Sequence, residues 1–246
     1  MNGSITRAIL AQTRMELRLT MRRGENVLVT VVVPVVLLVF FASLNLMPAS
    51  VGNPMNYLVP GILALAIIST GMVNLGIATA YERYYGVLKR LGGSPLPPWG
   101  LLLAKALSVL ALEVFQIILL FAVASLGYGW HPHAQSVLAF VGLILGTVTF
   151  SALGLAMAGG LRAEATLALA NGLYLLFLLL GDVVLPMSHL PPALRPISAV
   201  LPVTALSDTL RGALTSSASP FTFSVTVLVV WAILSIVLAV RAFRWE

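Results

Sequence analysis

Tyr81–Lys105, YERYYGVLKRLGGSPLPPWGLLLAK, is a short basic and aromatic segment set between two long apolar runs. Helical spacing puts Tyr81, Tyr84, Leu88 and Leu91 on one side of a short helix over Tyr81–Leu91. Arg83, Lys89 and Arg90 carry charge elsewhere on it, and Gly92, Gly93 and Pro95 end it. A helix of this kind reads as one lying across a membrane face. The residues leave two roles open, an aromatic and basic anchor at the lipid headgroups or a docking site for a partner outside the bilayer.

The composition around this stretch sets the class. Hydrophobic residues make up 59% of the 246-residue chain, charged residues 9%, and mean hydropathy is +1.02. A soluble domain carries about a quarter charged residues, so this chain lacks the polar surface to face water and reads as an integral membrane protein. The net charge of +6 is spread thinly between apolar runs, which makes it a topology signal and argues against nucleic acid as a partner. With no cysteine, thiol and disulfide chemistry are excluded. Five arginines precede the first apolar run, and that run is too long for the hydrophobic region of a signal peptide.

Outward from Tyr81–Lys105 the chain holds six apolar runs, Val27–Met47, Leu58–Ala80, Leu101–Leu126, Val137–Gly160, Ala165–Pro186 and Phe221–Val240. Each suits a hydrocarbon core of about 30 Å at about 1.5 Å per residue. They lack the two-residue alternation of a membrane barrel and so must be helices that satisfy their own backbone groups. The expected fold is an all-α membrane protein of one domain, residues 1–246. Setting the N-terminus inside leaves twelve of the fourteen basic residues on the inner segments and only Arg195 and Arg211 outside. By the positive-inside rule both termini are cytoplasmic, in the cell's inner (plasma) membrane.

Two flanking segments are not spans. Over residues 4–23, Arg7, Arg14, Arg18 and Arg22 fall in one helical arc, with Ile5, Ala8, Ile9, Met15 and Leu19 roughly opposite and Gln12 and Glu16 intruding on the apolar side. This predicts an interfacial helix on the anionic inner leaflet. The last outer segment, residues 187–220, is long and partly apolar, and Pro191, Pro192, Pro196 and Pro202 interrupt it. Val203, Leu206, Leu210 and Ala213 nevertheless keep helical spacing, and Asp208 and Arg211 pair at i, i+3. Two short helices re-entering the outer leaflet are expected there.

Chemistry-bearing residues are few. No phosphate-binding loop, HExxH, CxxC or GxSxG is present. His131 and His133 lack a nearby carboxylate, so no metal site is expected. Glu113 lies twelve residues into the third run, about 18 Å deep, with Gln116 close by on the same face. An ionised carboxylate there is costly unless paired or wetted. It reads either as a lining that meets a basic substrate or as a hydrogen bond to a neighbouring helix. Asn74, Asn171 and Asp182 raise the same question more mildly, as helix-joining groups or parts of a substrate path. Gly142 and Gly146 form a GxxxG close-packing face, within or between subunits.

The pattern Glu82-Arg83-x-x-Gly86-x-Leu88-Lys89-Arg90-Leu91-x-x-Ser94-Pro95-Leu96, with Ala104-Lys105 at the next helix, resembles the cytoplasmic loop of the ABC-2 type permeases of ATP-binding-cassette exporters. Leu201-Pro202-x-Thr204 with Asp208, Leu210 and Arg211 is similar to a second block of that family before its last span. Tyr84-Tyr85 stands where polar residues are commoner in the family. Within the family the overall pattern resembles the bacterial daunorubicin-resistance type of drug exporter.

The resemblance implies that residues 4–23 are the connecting helix and 81–93 the coupling helix. Glu82, Arg83, Tyr84, Gly86, Leu88, Arg90 and Leu91 would meet a separate ATPase subunit, with Tyr84, Leu88 and Leu91 as the apolar face and Glu82, Arg83 and Arg90 as its rim. It implies two ATPase copies and a second permease chain, as homodimer or heterodimer, with substrate passing between the permeases. ATP and Mg sit on the partner, so this chain needs no cofactor and has no catalytic residue of its own. Pro202, Thr204, Asp208 and Arg211 would help close the outer exit, and Asn74, Glu113, Gln116 and Asn171 are the candidate path. The expected cargo is a hydrophobic or amphipathic compound. The alternatives are a lipid-linked glycan or polysaccharide precursor, or a non-transporting membrane anchor.

Overall fold

A computed structural model describes residues 2–22, 24–44, 53–93, 97–132, 136–184, 186–215 and 221–242. Of the positions named above, Met47, Ser94, Pro95, Leu96, His133 and residues 216–220 of the last outer segment lie outside them. The described residues are helical, with no strand among them.

Helix α1 spans Asn2–Arg22 and α2 spans Gly24–Ser43 with Pro34 inside it. The centre of the molecule is one unbroken rod over Met55–Tyr84, formed by α3 (Met55–Ile68), a π-helical segment (Ser69–Asn74) and α4 (Leu75–Tyr84). Every residue of α3 except Asn56 is buried, so this helix faces protein all round. α5 (Val87–Gly92) follows, then α6 (Pro98–Tyr128), α7 (Ser136–Gly160) and α8 (Ala163–Leu180). A 3₁₀ turn at Met187–His189, α9 (Arg195–Ala199) and α10 (Pro202–Leu214) lead to α11 (Phe221–Ala242). α2, α6, α7, α8 and α10 pack around the rod, and α11 lies outside α7 and α10.

Between lipid-like surfaces close approach replaces the hydrophobic effect as the packing force, and small residues permit it. A Cβ on Gly76 would lie 3.0 Å from the Cα of Gly154, so α4 and α7 meet backbone to backbone. A Cβ on Gly146 would lie 2.7 Å from Leu206, and one on Gly142 3.0 Å from Thr209. The GxxxG face therefore packs within the chain, against α10.

Among the described residues five helices are long and apolar enough to cross a membrane: Met55–Tyr84, Trp99–Tyr128, Val137–Gly160, Ala163–Leu180 and Thr222–Ala242. The apolar stretch described in α2, Thr30–Ser43, is shorter. Within these five, two boundaries differ from the sequence reading by four residues or more, and the rest by three or fewer. The second run continues past Ala80 to Tyr84, because the aromatic residues there extend the rod. The fifth helix stops at Leu180, where Asp182 takes a left-handed backbone (φ 50°). The expected surface helix over Tyr81–Leu91 is two pieces, the end of α4 and α5, joined at Gly86 with φ 72°. A left-handed residue cannot continue a helix, and glycine adopts that conformation without a Cβ penalty.

Candidate functional site

At the Tyr84 end of the rod the chain turns sharply and exposes two aromatics. Tyr84 and Tyr85 are 65% and 68% exposed and meet edge to face at 5.1 Å, while Tyr85 stacks on Tyr81 at 6.2 Å. Val87, Lys89 and Arg90 are exposed beside them, and Leu91 is half-buried. Leu88 does not share this face, being only 1% exposed. The bend at Gly86 rotates α5 relative to α4, so the spacing that aligned Tyr84 with Leu88 on one helix no longer applies.

Glu82 and Arg83, read as an outward rim, both point inward. Arg83 donates to the carbonyls of Gly159 and Leu161, where α7 ends with unpaired carbonyl groups that favour a cation. Glu82 lies 2.7 Å from the Nζ of Lys105, whose ammonium is also 3.1 Å from Glu16. Lys105 is 1% exposed, and Gln12 donates to Glu16 at 2.9 Å. One buried cation thus joins α1, α4 and α6. Glu16 had looked like a flaw in an amphipathic stripe, and Lys105 like a topology charge. The available signal was an acid on the apolar side of α1 and a lysine set well inside an apolar helix.

Above Tyr81 and Tyr85 opens a cavity of about 490 Å³ between α2, the π-helical segment, α4 and α8. Its polar lining comes from Thr30, Ser69, Asn74 and Asn171, its apolar lining from Val73, Ile77, Ala78 and Leu167. The structure brings Asn74 and Asn171 together here. Asn171 is exposed and donates only to Leu167 of its own helix. Single π-helical turns inside α-helices recur at functional sites because they redirect side chains. This one sets Ser69 and Asn74 on the cavity and Thr70 against Gln116. Asn74 also lines a small void of about 30 Å³ bounded by Glu16 and Lys105.

Glu113 and Gln116 do not line the cavity. Gln116 accepts from Thr70 at 3.0 Å and donates to the Thr30 carbonyl at 2.8 Å, which bolts α6 to the π-helical segment and to α2. Glu113 is 2% exposed and accepts from Thr147 of α7, while its Oε1 has no hydrogen-bond partner.

At the Met55 end of the rod a second polar cluster is built on Asp182. The Tyr57 hydroxyl donates to Asp182 Oδ1 at 2.8 Å, and Arg211 Nη2 donates to its carbonyl at 2.9 Å. Arg211 Nη1 lies 2.6 Å from Asp208 and 3.3 Å from the Asp182 carboxylate, and its guanidinium sits 3.9 Å above the Tyr57 ring. Burial pushes the Asp208 carboxyl up to about 6, with Arg211 opposing the rise. Pro202 opens α10 at its first turn, and Thr204 is buried with no hydrogen-bond partner for its hydroxyl. No cluster of three metal-binding side chains occurs among the described residues, and His131 is exposed.

A family model described as ABC-2 type transporter matches residues 7–215, from α1 to the residue after α10. No curated protein matches the chain.

Proposed function

Because the chain belongs to the ABC-2 type transporter family, we propose that it is the transmembrane permease subunit of an ATP-binding-cassette exporter. In this reading α2 is a sixth span, both termini are cytoplasmic, and the protein sits in the inner (plasma) membrane. A separate ATPase, in two copies, binds and hydrolyses ATP with Mg, and a second permease chain completes the complex. The cargo is a hydrophobic or amphipathic compound, drug-like or lipid-like, that enters from the cytoplasm or the inner leaflet.

The observation that carries this reading is the shared position of Tyr85. It lines the cavity that holds Asn74 and Asn171, and it also belongs to the exposed aromatic pair at the inner surface. A partner pressing on Tyr84 and Tyr85 would act on a cavity wall directly. The exposed Tyr84, Val87 and Arg90 supply the docking face, with Lys89 beside them. The Asp182, Asp208 and Arg211 cluster, with Pro202 and Thr204, stands at the opposite end as the outer gate.

Purification with a candidate ATPase, followed by reconstitution, tests the proposal. Tyr84→Ala should lower ATPase retention, since aromatic anchors at interfaces typically cost about 2 kcal/mol or more on truncation. Asn171→Leu should leave the ATPase bound and alter which compounds stimulate hydrolysis. Retention of ATPase with no stimulation by any hydrophobic or amphipathic compound would identify a membrane anchor instead.

A further inference from the structure

α1 carries a second surface that the permease reading does not use. Arg7, Arg14, Arg18 and Arg22 are all exposed, and none has a salt-bridge partner among the described residues. The helix's one acid, Glu16, is turned inward onto Lys105. The outward side of α1 is therefore a run of uncompensated positive charge.

Directly beside it lies an apolar groove of about 440 Å³ between α1 and the first turns of α6. Ile5, Ile9 and Leu10 form one wall, and Trp99, Leu103 and Leu107 the other. The second set recurs at four-residue spacing, one stripe about 12 Å long at 1.5 Å per residue. Leu10, Trp99 and Leu103 are 59%, 56% and 43% exposed, so the groove is open along its length. Arg7 and Arg14 stand three residues before and four after Leu10, so both flank the groove's outer rim at Leu10, away from its inner wall at Ile5 and Ile9.

We propose that this groove binds an anionic phospholipid, its acyl chain along Trp99–Leu107 and its headgroup at Arg7 and Arg14. The apolar stripe belongs to a helix long and apolar enough to cross a membrane, so it runs into hydrocarbon, where a water-soluble acidic protein does not reach. The arginines demand a negative ligand, and the groove demands a chain of methylenes. An anionic phospholipid meets both requirements. The site is separate from the cavity at Asn171 and does not depend on what the permease carries.

Full-length protein in phosphatidylcholine nanodiscs tests this with brominated lipids, which quench a neighbouring indole. Emission from Trp99 is isolated by difference against Trp99→Phe. Brominated phosphatidylglycerol, as a minor component, should quench Trp99 several-fold more than the same amount of brominated phosphatidylcholine. The preference should shrink in Arg7→Gln and in Arg14→Gln, vanish in the double variant, and weaken with added salt. Both arginines are exposed and unpaired, so these variants keep the fold. Equal quenching by the two lipids would reduce the groove to ordinary bilayer contact and overturn the proposal. Quenching by neither, or a preference that survives Arg7→Gln/Arg14→Gln, would overturn it too.

Discussion

The two ends of the Met55–Tyr84 rod solve the same problem differently. Each holds one buried cation between two carboxylates, Lys105 with Glu16 and Glu82 at one end, Arg211 with Asp182 and Asp208 at the other. The lysine is a point charge, and its partners come from two other helices, α1 and α4. The arginine is a planar fork that reaches a near neighbour on its own helix, the carboxylate and carbonyl of Asp182, and the Tyr57 ring. Lysine fits a site where the geometry can shift while charge balance persists. Arginine fits a site where several contacts fix one arrangement. The end beside the exposed tyrosines, inner in the proposed topology, is thus held by charged hydrogen bonds to a flexible ammonium, and the outer end adds a planar fork and ring packing.

The largest test of this contrast is Lys105→Met. Removing the cation leaves two poorly solvated carboxylates facing each other, and breaking a buried pair in this way typically costs about 3–5 kcal/mol. Thermal unfolding in detergent should show a large fall in midpoint or loss of folded protein. Adding Glu16→Gln and Glu82→Gln to Lys105→Met should restore most of it. If the triple variant is no better than Lys105→Met, packing of the lysine stem, rather than charge, holds the three helices.

At the outer end Arg211→Lys keeps the charge and removes the fork. The Asp182 carbonyl loses its donor and the Tyr57 ring its planar cation, a loss of about 2 kcal/mol. The same unfolding measurement should therefore separate Arg211→Lys clearly from Lys105→Arg, which only exchanges one cation for another. Equal tolerance of both swaps would erase the distinction drawn between the two ends.

What was legible in the sequence divides along the same line. Asp208 and Arg211 were readable as a pair because i, i+3 spacing brings them together on any helix. Asp182 and Tyr57 were not readable as partners, since they meet Arg211 only where α10, α3 and the residues after α8 come together. Glu82 and Lys105 stood in one recognisable motif, yet their pairing depends on how α6 returns along α4, which no local pattern states. Five of the six apolar runs coincide with helices long enough to cross a membrane, because a long unbroken apolar run leaves a helix as its one way to satisfy the backbone. Helix faces were harder. A period of 3.6 residues assumes one continuous helix, and the left-handed Gly86 broke it, turning Leu88 inward. Asn74 and Asn171 were noticed as polar residues in apolar runs, and their shared cavity depends on a π-helical turn that composition does not encode.

A smaller effect is expected from Asp208→Asn. The folded carboxyl sits near 6, above the ordinary value near 3.9. A raised carboxyl binds its proton more tightly in the folded state, so its ionisation costs stability as pH climbs from about 4 to about 6. Asn cannot ionise, so Asp208→Asn loses one ion pair of Arg211 but also the cost of a buried carboxylate. These opposing effects should leave it about 1 kcal/mol from the parent chain at neutral pH. Relative to that variant, the parent should gain stability as pH falls from 6 towards 4. A parent that loses stability relative to Asp208→Asn over that range would mean that Arg211 outweighs burial at this carboxylate.

The smallest effect is the most discriminating. Glu16 and Glu82 together carry one more negative charge than Lys105 neutralises, so the inner cluster holds an excess carboxylate. Glu16→Gln removes that excess while keeping an amide of nearly the same size. Lys105 retains Glu82 at 2.7 Å, and the new side chain can still accept from the ammonium and from Gln12. The lost ion pair and the relieved carboxylate repulsion act in opposite directions. The net change should be about 0.5 kcal/mol or less, within the range of a single exchanged hydrogen bond. Glu82→Gln should cost more, because it removes the shorter of the two contacts. The two variants compared by thermal unfolding at one pH decide the point. If Glu16→Gln is as damaging as Glu82→Gln, α1 is held as firmly as α4, and the inner end is as rigid as the outer one.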